Sequence, residues 1–138
     1  MHGRRPPRPA GTRILIVEDN ELNLKLLRDL LEYQGYTILV ASLGRTAIDI
    51  ARQQRPDLIL LDVQLPDISG FDVASELKAL ERTRSIPIIA VTAFAMPGDR
   101  ERILASGCDA YVAKPFSIDE VLALIERYVD DGKATNGV

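Results

Sequence analysis

The sequence predicts an α/β protein: a doubly wound, five-stranded parallel sheet made of five βα units. Three observations predict it. Short apolar runs alternate five times with amphipathic stretches, which is the pattern of parallel strands joined by crossover helices. The 138 residues suffice for one core and are few for two. Capping and turn residues stand where successive elements should meet.

Taken in order, Ile14–Val17 is the first strand. In "NELNLKLLRDLLEYQG", Leu24, Leu27 and Leu31 share one helical face, with Leu26, Leu30 and Tyr33 beside it. Asn20 suits the N-cap, and Gly35 sits where a helix C-terminus favours positive φ. Tyr36–Ala41 is the second strand, and Ser42 can cap a helix carrying Ala47, Ile48, Ile50 and Ala51. Leu58–Leu61 is the third strand, and it runs into Asp62. "SGFDVASELKAL" is the third helix, with Phe71, Ala74, Leu77 and Leu80 inward. Ile86–Val91 is the fourth strand; Pro87 costs little at its start. "GDRERILASG" is a short helix stopped by Gly107, and Ala110–Ala113 is the fifth strand. Ser117 to Glu120 forms a capping box that opens the last helix, whose apolar band is Val121, Leu122, Leu124 and Ile125.

Composition bounds the function. Hydrophobic residues make up 46% and charged residues 27% of the chain, as in ordinary globular domains. A Pro/Arg-rich lead at 1–12, a folded domain at 13–130 and a frayed tail at 131–138 are expected. The net charge is −3; taking away the +3 of Arg4, Arg5 and Arg8 leaves −6 on residues 13–138. An acidic body argues against a nucleic-acid partner. No apolar run is long enough for a membrane span, and the lead lacks the apolar centre of a secretion signal. A single cysteine, Cys108, excludes an internal disulfide and fits a reducing compartment, the cytoplasm.

In parallel sheets, ligands bind beyond the carboxyl ends of the strands. Glu18 and Asp19 follow strand one, Asp62 ends strand three, Thr92 follows strand four and Lys114 follows strand five. Each has an ordinary reading alone: a turn or cap aspartate, first-turn charges facing a helix dipole, a strand-end hydroxyl, a solvated lysine. Together they put three carboxylates, a hydroxyl and an ammonium on one edge. Two like charges at ~4 Å repel by roughly 4 kcal/mol at an effective dielectric near 20. Such a cluster calls for a cation beyond Lys114, and a hard divalent ion bound through oxygen matches it. Mg²⁺ takes few carboxylates and accepts phosphate oxygens, so the set suits a transferring phosphoryl group.

The residues "ILIVEDN", "LILLDVQLPDISG", "AVTAF" and "AYVAKPF" resemble, in order and spacing, the receiver domain of two-component response regulators, over residues 13 to about 130. Their wording is similar to that of single-domain members. The resemblance implies a flavodoxin- or receiver-like (βα)5 fold with strand order 2-1-3-4-5. It implies that Asp62 is the phosphoacceptor, supplied by a histidine kinase or a histidine phosphotransfer protein. Asp19 and Asp62 would ligate Mg²⁺, or Mn²⁺ as a substitute, with Glu18 acting mainly through water and Gln64 lending its backbone carbonyl. Thr92 and Lys114 would hold phosphoryl oxygens, Tyr111 would be the switch aromatic, and the Lys114–Pro115 peptide would be cis. The contact face for a downstream protein, a kinase or a homodimer would be helix 97–106, strand 110–113 and helix 118–129. Gln64 and Phe94 stand where the family varies, so the lifetime of the phosphorylated state does not carry over. The chain ends soon after the last helix, so an output through protein contact is expected.

The sole histidine, His2, lies in the lead, which assigns the donor histidine to another molecule. Cys108 reads as a buried structural thiol rather than a nucleophile. On this reading the protein is a switch rather than an enzyme, its only chemistry being self-phosphorylation from a donor and slow loss of the group to water. A phosphatase with an aspartyl nucleophile would need a second Asp where Gln64 stands; turnover of a phosphomonoester would reveal it. A flavodoxin-like nucleotide binder would need phosphate-cradling groups where Glu18, Asp19 and Asn20 stand; a yellow protein would reveal it. A degenerate receiver that binds without phosphorylation would take up no phosphoryl group.

Overall fold

A computed structural model describes residues 11–93 and 97–137 of the chain. Residues 1–10 of the expected lead, Phe94 and Val138 lie outside the described residues. Five parallel strands, β1 (Arg13–Val17), β2 (Thr37–Ala41), β3 (Leu58–Asp62), β4 (Ile88–Thr92) and β5 (Ala110–Ala113), form one sheet in the order β2-β1-β3-β4-β5. The helices between and after them are α1 (Glu21–Tyr33), α2 (Gly44–Gln54), α3 (Gly70–Ala79), α4 (Asp99–Ala105) and α5 (Ile118–Gly137).

Period-2 alternation on the central strands sends side chains to both faces. Leu15, Val17, Ile59, Leu61, Ile88 and Ala90 pack with Ala47, Ile48 and Ala51 of α2, with Val73, Ala74 and Leu77 of α3, and with Ile103 of α4. Ile14, Ile16, Leu58, Leu60, Ile89 and Val91 pack on the opposite side with Leu27 and Leu31 of α1 and with Val121, Ile125 and Val129 of α5. β3 is buried at every position, as a central parallel strand requires. Fully burying one such aliphatic side chain contributes about 1.5–3 kcal/mol, so this double core carries most of the stability.

The helix ends show how far local chemistry governs the fold. The Asn20 side chain accepts a hydrogen bond from the Asn23 N–H at the start of α1, and Gly35 takes φ 98° after its end. The box at α5 closes reciprocally: the Ser117 N–H donates to the Glu120 carboxylate, and the Glu120 N–H donates to the Ser117 hydroxyl. Ser42 does not cap α2. Leu43 holds the N-cap position and makes no side-chain bond. Instead the Asp67 carboxylate, from the loop after β3, accepts from the Gly44 N–H at 2.8 Å and the Arg45 N–H at 2.9 Å. Those two bonds hold the Asp67 carboxyl below its ordinary pKa.

Several boundaries shift. β4 begins at Ile88 rather than Ile86, because Pro87 has no N–H for the ladder; the Ile88 N–H donates to Asp109 instead. α4 begins at Asp99, after Gly98 in a left-handed conformation at φ 96°. The backbone of α5 continues to Gly137, through most of 131–138, where the sequence predicts a tail; no proline interrupts this stretch, and a glycine inside a helix costs only about 1 kcal/mol. On α1, Leu26 and Tyr33 flank the buried stripe but face solvent.

Candidate functional site

The strand register brings the expected residues together. Val17 of β1 pairs with Leu61 of β3, so the next residues, Glu18 and Asp62, leave the sheet side by side. Asp62 pairs with Val91, and Thr92 pairs with Ala113. The ends of β1, β3, β4 and β5 therefore present Glu18, Asp62, Thr92 and Lys114 along one carboxyl edge. Asp19 follows on the loop into α1 and is exposed.

Carboxylate oxygens of Glu18, Asp19 and Asp62 lie within 4.8 Å of one another. Glu18 and Asp62 are buried. Lys114 reaches both: its Nζ lies 3.2 Å from Asp62 Oδ2 and 3.5 Å from Glu18 Oε1. The other Asp62 oxygen accepts the Gln64 N–H at 2.9 Å, and the second Glu18 oxygen accepts the Asn20 N–H at 3.2 Å. Burial, and then the Asp62 charge, push the Glu18 carboxyl above its ordinary pKa; the Asn20 N–H and Lys114 pull it back only in part. The chain thus holds two buried like charges with one ammonium between them. A divalent cation shared by these oxygens would relieve that repulsion, and all-oxygen ligation of this kind suits Mg²⁺.

Thr92 is fully buried at the end of β4, and its carbonyl accepts the Lys114 N–H at 2.7 Å. The Lys114–Pro115 peptide is cis. Tyr111 lies three residues before Lys114 on β5 and packs, partly buried, against the α2–α3–α4 side of the core. Cys108 is buried, and burial pushes its thiol up, away from the thiolate a nucleophile needs. No helix among the described residues is long and apolar enough to cross a membrane.

The structure adds two residues that local sequence signals did not mark. One is Gly70, which is buried and donates its N–H to the Val63 carbonyl at 2.9 Å, directly behind Asp62. The other is Asp67, whose pairing with α2 spans more than twenty residues and so leaves no trace in a local pattern.

The family described as the response regulator receiver domain matches residues 14–126. The chain belongs to the response-regulator receiver-domain family. It is 52% identical over 118 residues to the polar-differentiation response regulator DivK of Brucella anthropi, an alignment that covers 86% of this chain and 96% of that protein. DivK of Brucella abortus matches at the same identity and coverage. Among solved structures, the receiver domain of a sensor histidine kinase from Pseudomonas aeruginosa superposes with a TM-score of 0.82 at 40% identity, covering 88% of this chain and 99% of that one. That structure has a magnesium ion coordinated in its active-site cleft. A CheY-like receiver-domain protein from Methanospirillum hungatei superposes with a TM-score of 0.84 at 27% identity, covering 91% and 98% of the two chains. The order β2-β1-β3-β4-β5 is the order expected from the sequence resemblance. Receiver domains of two-component signalling are switches that work with histidine kinases and downstream effectors.

Proposed function

We propose that this chain is a phosphorylation switch in which Asp62 accepts one phosphoryl group and the change reaches a protein-binding face through Thr92 and Tyr111. The observation that carries this reading is the cluster of Glu18, Asp19 and Asp62 oxygens within 4.8 Å, with Lys114 held on two of them. Asp19, Asp62 and the Gln64 carbonyl would hold Mg²⁺ directly, or Mn²⁺ in its place, and Glu18 would hold it through water. The bound ion would draw charge from the phosphoryl oxygens.

The donor is a phosphohistidine on a histidine kinase or a histidine phosphotransfer protein. An Asp62 oxygen attacks phosphorus, a P–O bond forms as the P–N bond breaks, and the released imidazole takes up a proton. Lys114 moves from the carboxylate pair to a phosphoryl oxygen. The Thr92 hydroxyl donates to another, and Tyr111 fills the space this leaves. Hydrolysis by water returns inorganic phosphate and the Asp62 carboxylate. A reducing compartment, the cytoplasm, fits the single buried thiol.

The sheet order supports the output face. β5 is an edge strand, and both α4 and α5 pack on it, so segments 97–106, 110–113 and 118–129 adjoin. A downstream protein, or a second copy of the chain, would read this face. Coupling between phosphorylation and binding of about 1–3 kcal/mol would shift partner affinity roughly 5- to 150-fold.

Incubation with a small-molecule phosphodonor and Mg²⁺ should add one phosphoryl group by intact mass, and EDTA should remove the labelling. Full labelling in EDTA would sink the metal assignment. Tyr111→Ala should label to near the wild-type extent, since Tyr111 packs on the apolar α2–α3–α4 side of the core, but it should lose about tenfold in phosphorylation-dependent partner binding, within the usual range of coupling energies. Loss of labelling in that variant would instead make Tyr111 a support of the site.

A further inference from the structure

The loop between β3 and α3 carries Gln64 away from Asp62, and it is fastened at three points. At its start, the Gln64 N–H donates to Asp62 Oδ1. At its neck, the Gly70 N–H donates to the Val63 carbonyl. At its far side, both Asp67 oxygens are taken by the first two N–H groups of α2. Gln64, Pro66 and Asp67 are exposed, so burial alone does little to hold this part of the loop.

We propose that Asp67 is a positioning residue for the metal site: by capping α2 across the carboxyl edge, it holds the β3–α3 loop in the shape that sets Gln64 beside Asp62 and a divalent cation. This rests on the reading of the acidic cluster as a Mg²⁺ site. Three features favour it. α2 has no cap of its own, because Leu43 contributes none. The next residue of the loop, Ile68, is pressed against the same turn, so closely that a Cβ on Gly44 would stand 2.6 Å from Ile68 Cγ1. The Asp67 charge also faces the positive end of the α2 dipole. Loop and helix end are therefore docked by both polar and apolar contact. The released Arg45 N–H is exposed and can turn to water, whereas the Gly44 N–H is buried and would lose its partner, so losing the cap should lower stability as well as loop order, and the melt reads the first apart from the second.

The test is calorimetric titration of the full chain with Mg²⁺, alongside a thermal melt. Asp67→Ala should weaken Mg²⁺ binding about tenfold, the low end of what losing a supporting contact costs a metal site. Asp67→Asn keeps one acceptor oxygen and should weaken it about threefold, on the same scale. Thr83→Val serves as the control. Its wild-type hydroxyl donates to the Leu77 carbonyl at 2.6 Å, buried at the other end of α3, so the variant should melt lower with unchanged Mg²⁺ affinity. The inference is overturned if Asp67→Ala binds Mg²⁺ as wild type does, or if Thr83→Val weakens binding equally. Should Asp67→Ala not fold, wild-type affinity in Asp67→Asn overturns it. A wild-type protein that takes up no Mg²⁺ overturns the metal reading itself, and the inference with it.

Discussion

Asp62→Asn is expected to reduce phosphoryl uptake to background while leaving the fold intact. The amide is nearly the same size as the carboxylate, and its oxygen can still accept the Gln64 N–H. What it loses is the anionic oxygen that the proposed function makes the nucleophile. No other carboxylate takes its place: Glu18 leans on Lys114 and the Asn20 N–H, and Asp19 stands out in solvent. The substitution also removes one of two buried like charges. Their repulsion at this separation is on the order of a few kcal/mol at an effective dielectric near 20, offset in part by Lys114. Metal-free Asp62→Asn should therefore melt at or above the wild-type temperature, an outcome opposite to that of most buried substitutions. The Glu18 carboxyl, which burial and Asp62 together hold high, should titrate lower in the variant. Peptide mapping after phosphodonor treatment decides the chemistry, and wild-type labelling of the Asn variant would place the acceptor elsewhere.

The elements were legible because each is announced locally. The apolar runs gave all five strands: β1, β3 and β4 are apolar because they are buried on both faces, and the edge strands β2 and β5, only partly buried, are still apolar enough to stand out. Asn20 and the Ser117–Glu120 box could be read as caps because their partners lie three residues away. The cap of α2 could not, because its donors at Gly44 and Arg45 meet an acceptor at Asp67 that only the folded sheet brings near. Ser42 was the local candidate, and tertiary structure displaced it. The order of the strands likewise came from family resemblance rather than from alternation, since the same five units could be wound in other orders. The convergence of Glu18, Asp62, Thr92 and Lys114 was readable from one rule, that parallel strands end at a common edge. The order of burial within the cluster was not: nothing local says that Glu18 is buried while its neighbour Asp19 is exposed. That difference follows from the Glu18 backbone still continuing the ladder, its N–H donating to the Ala41 carbonyl at 3.0 Å.

Gly70→Ala should be among the most damaging single-methyl changes in the protein. Read locally, Gly70 is an ordinary residue at a helix start beside the Ser69 cap. In the fold, a Cβ there would lie 2.5 Å from the Val63 Cα and 2.6 Å from the Asp62 carbonyl oxygen. Both obstacles are backbone, and both belong to the stretch that carries Asp62. Neither can rotate away, so α3 must retreat from β3 or the end of β3 must move. Overpacking of this kind costs about 3 kcal/mol, which for a domain of this size lowers the melting temperature by roughly 10 °C. The displaced strand end should also slow labelling at Asp62 by about tenfold or more, since shifts near 1 Å in a reacting group cost up to roughly 100-fold. Gly44→Ala provides the contrast. Its added methyl would also fall within 3 Å of its neighbours, but those are Ile68 Cγ1 and Val73 Cγ2, stiff side-chain atoms that must shift yet can do so without moving the strand that carries Asp62. That variant should cost less than Gly70→Ala, about 2 kcal/mol, the middle of the overpacking range. Urea melts of the two variants, with labelling rates measured well below their transitions, separate the cases. If Gly70→Ala proves no less stable than Gly44→Ala and labels at the wild-type rate, the helix–strand gap behind Asp62 yields more freely than its backbone contacts imply, and the close approach has no part in setting the acceptor.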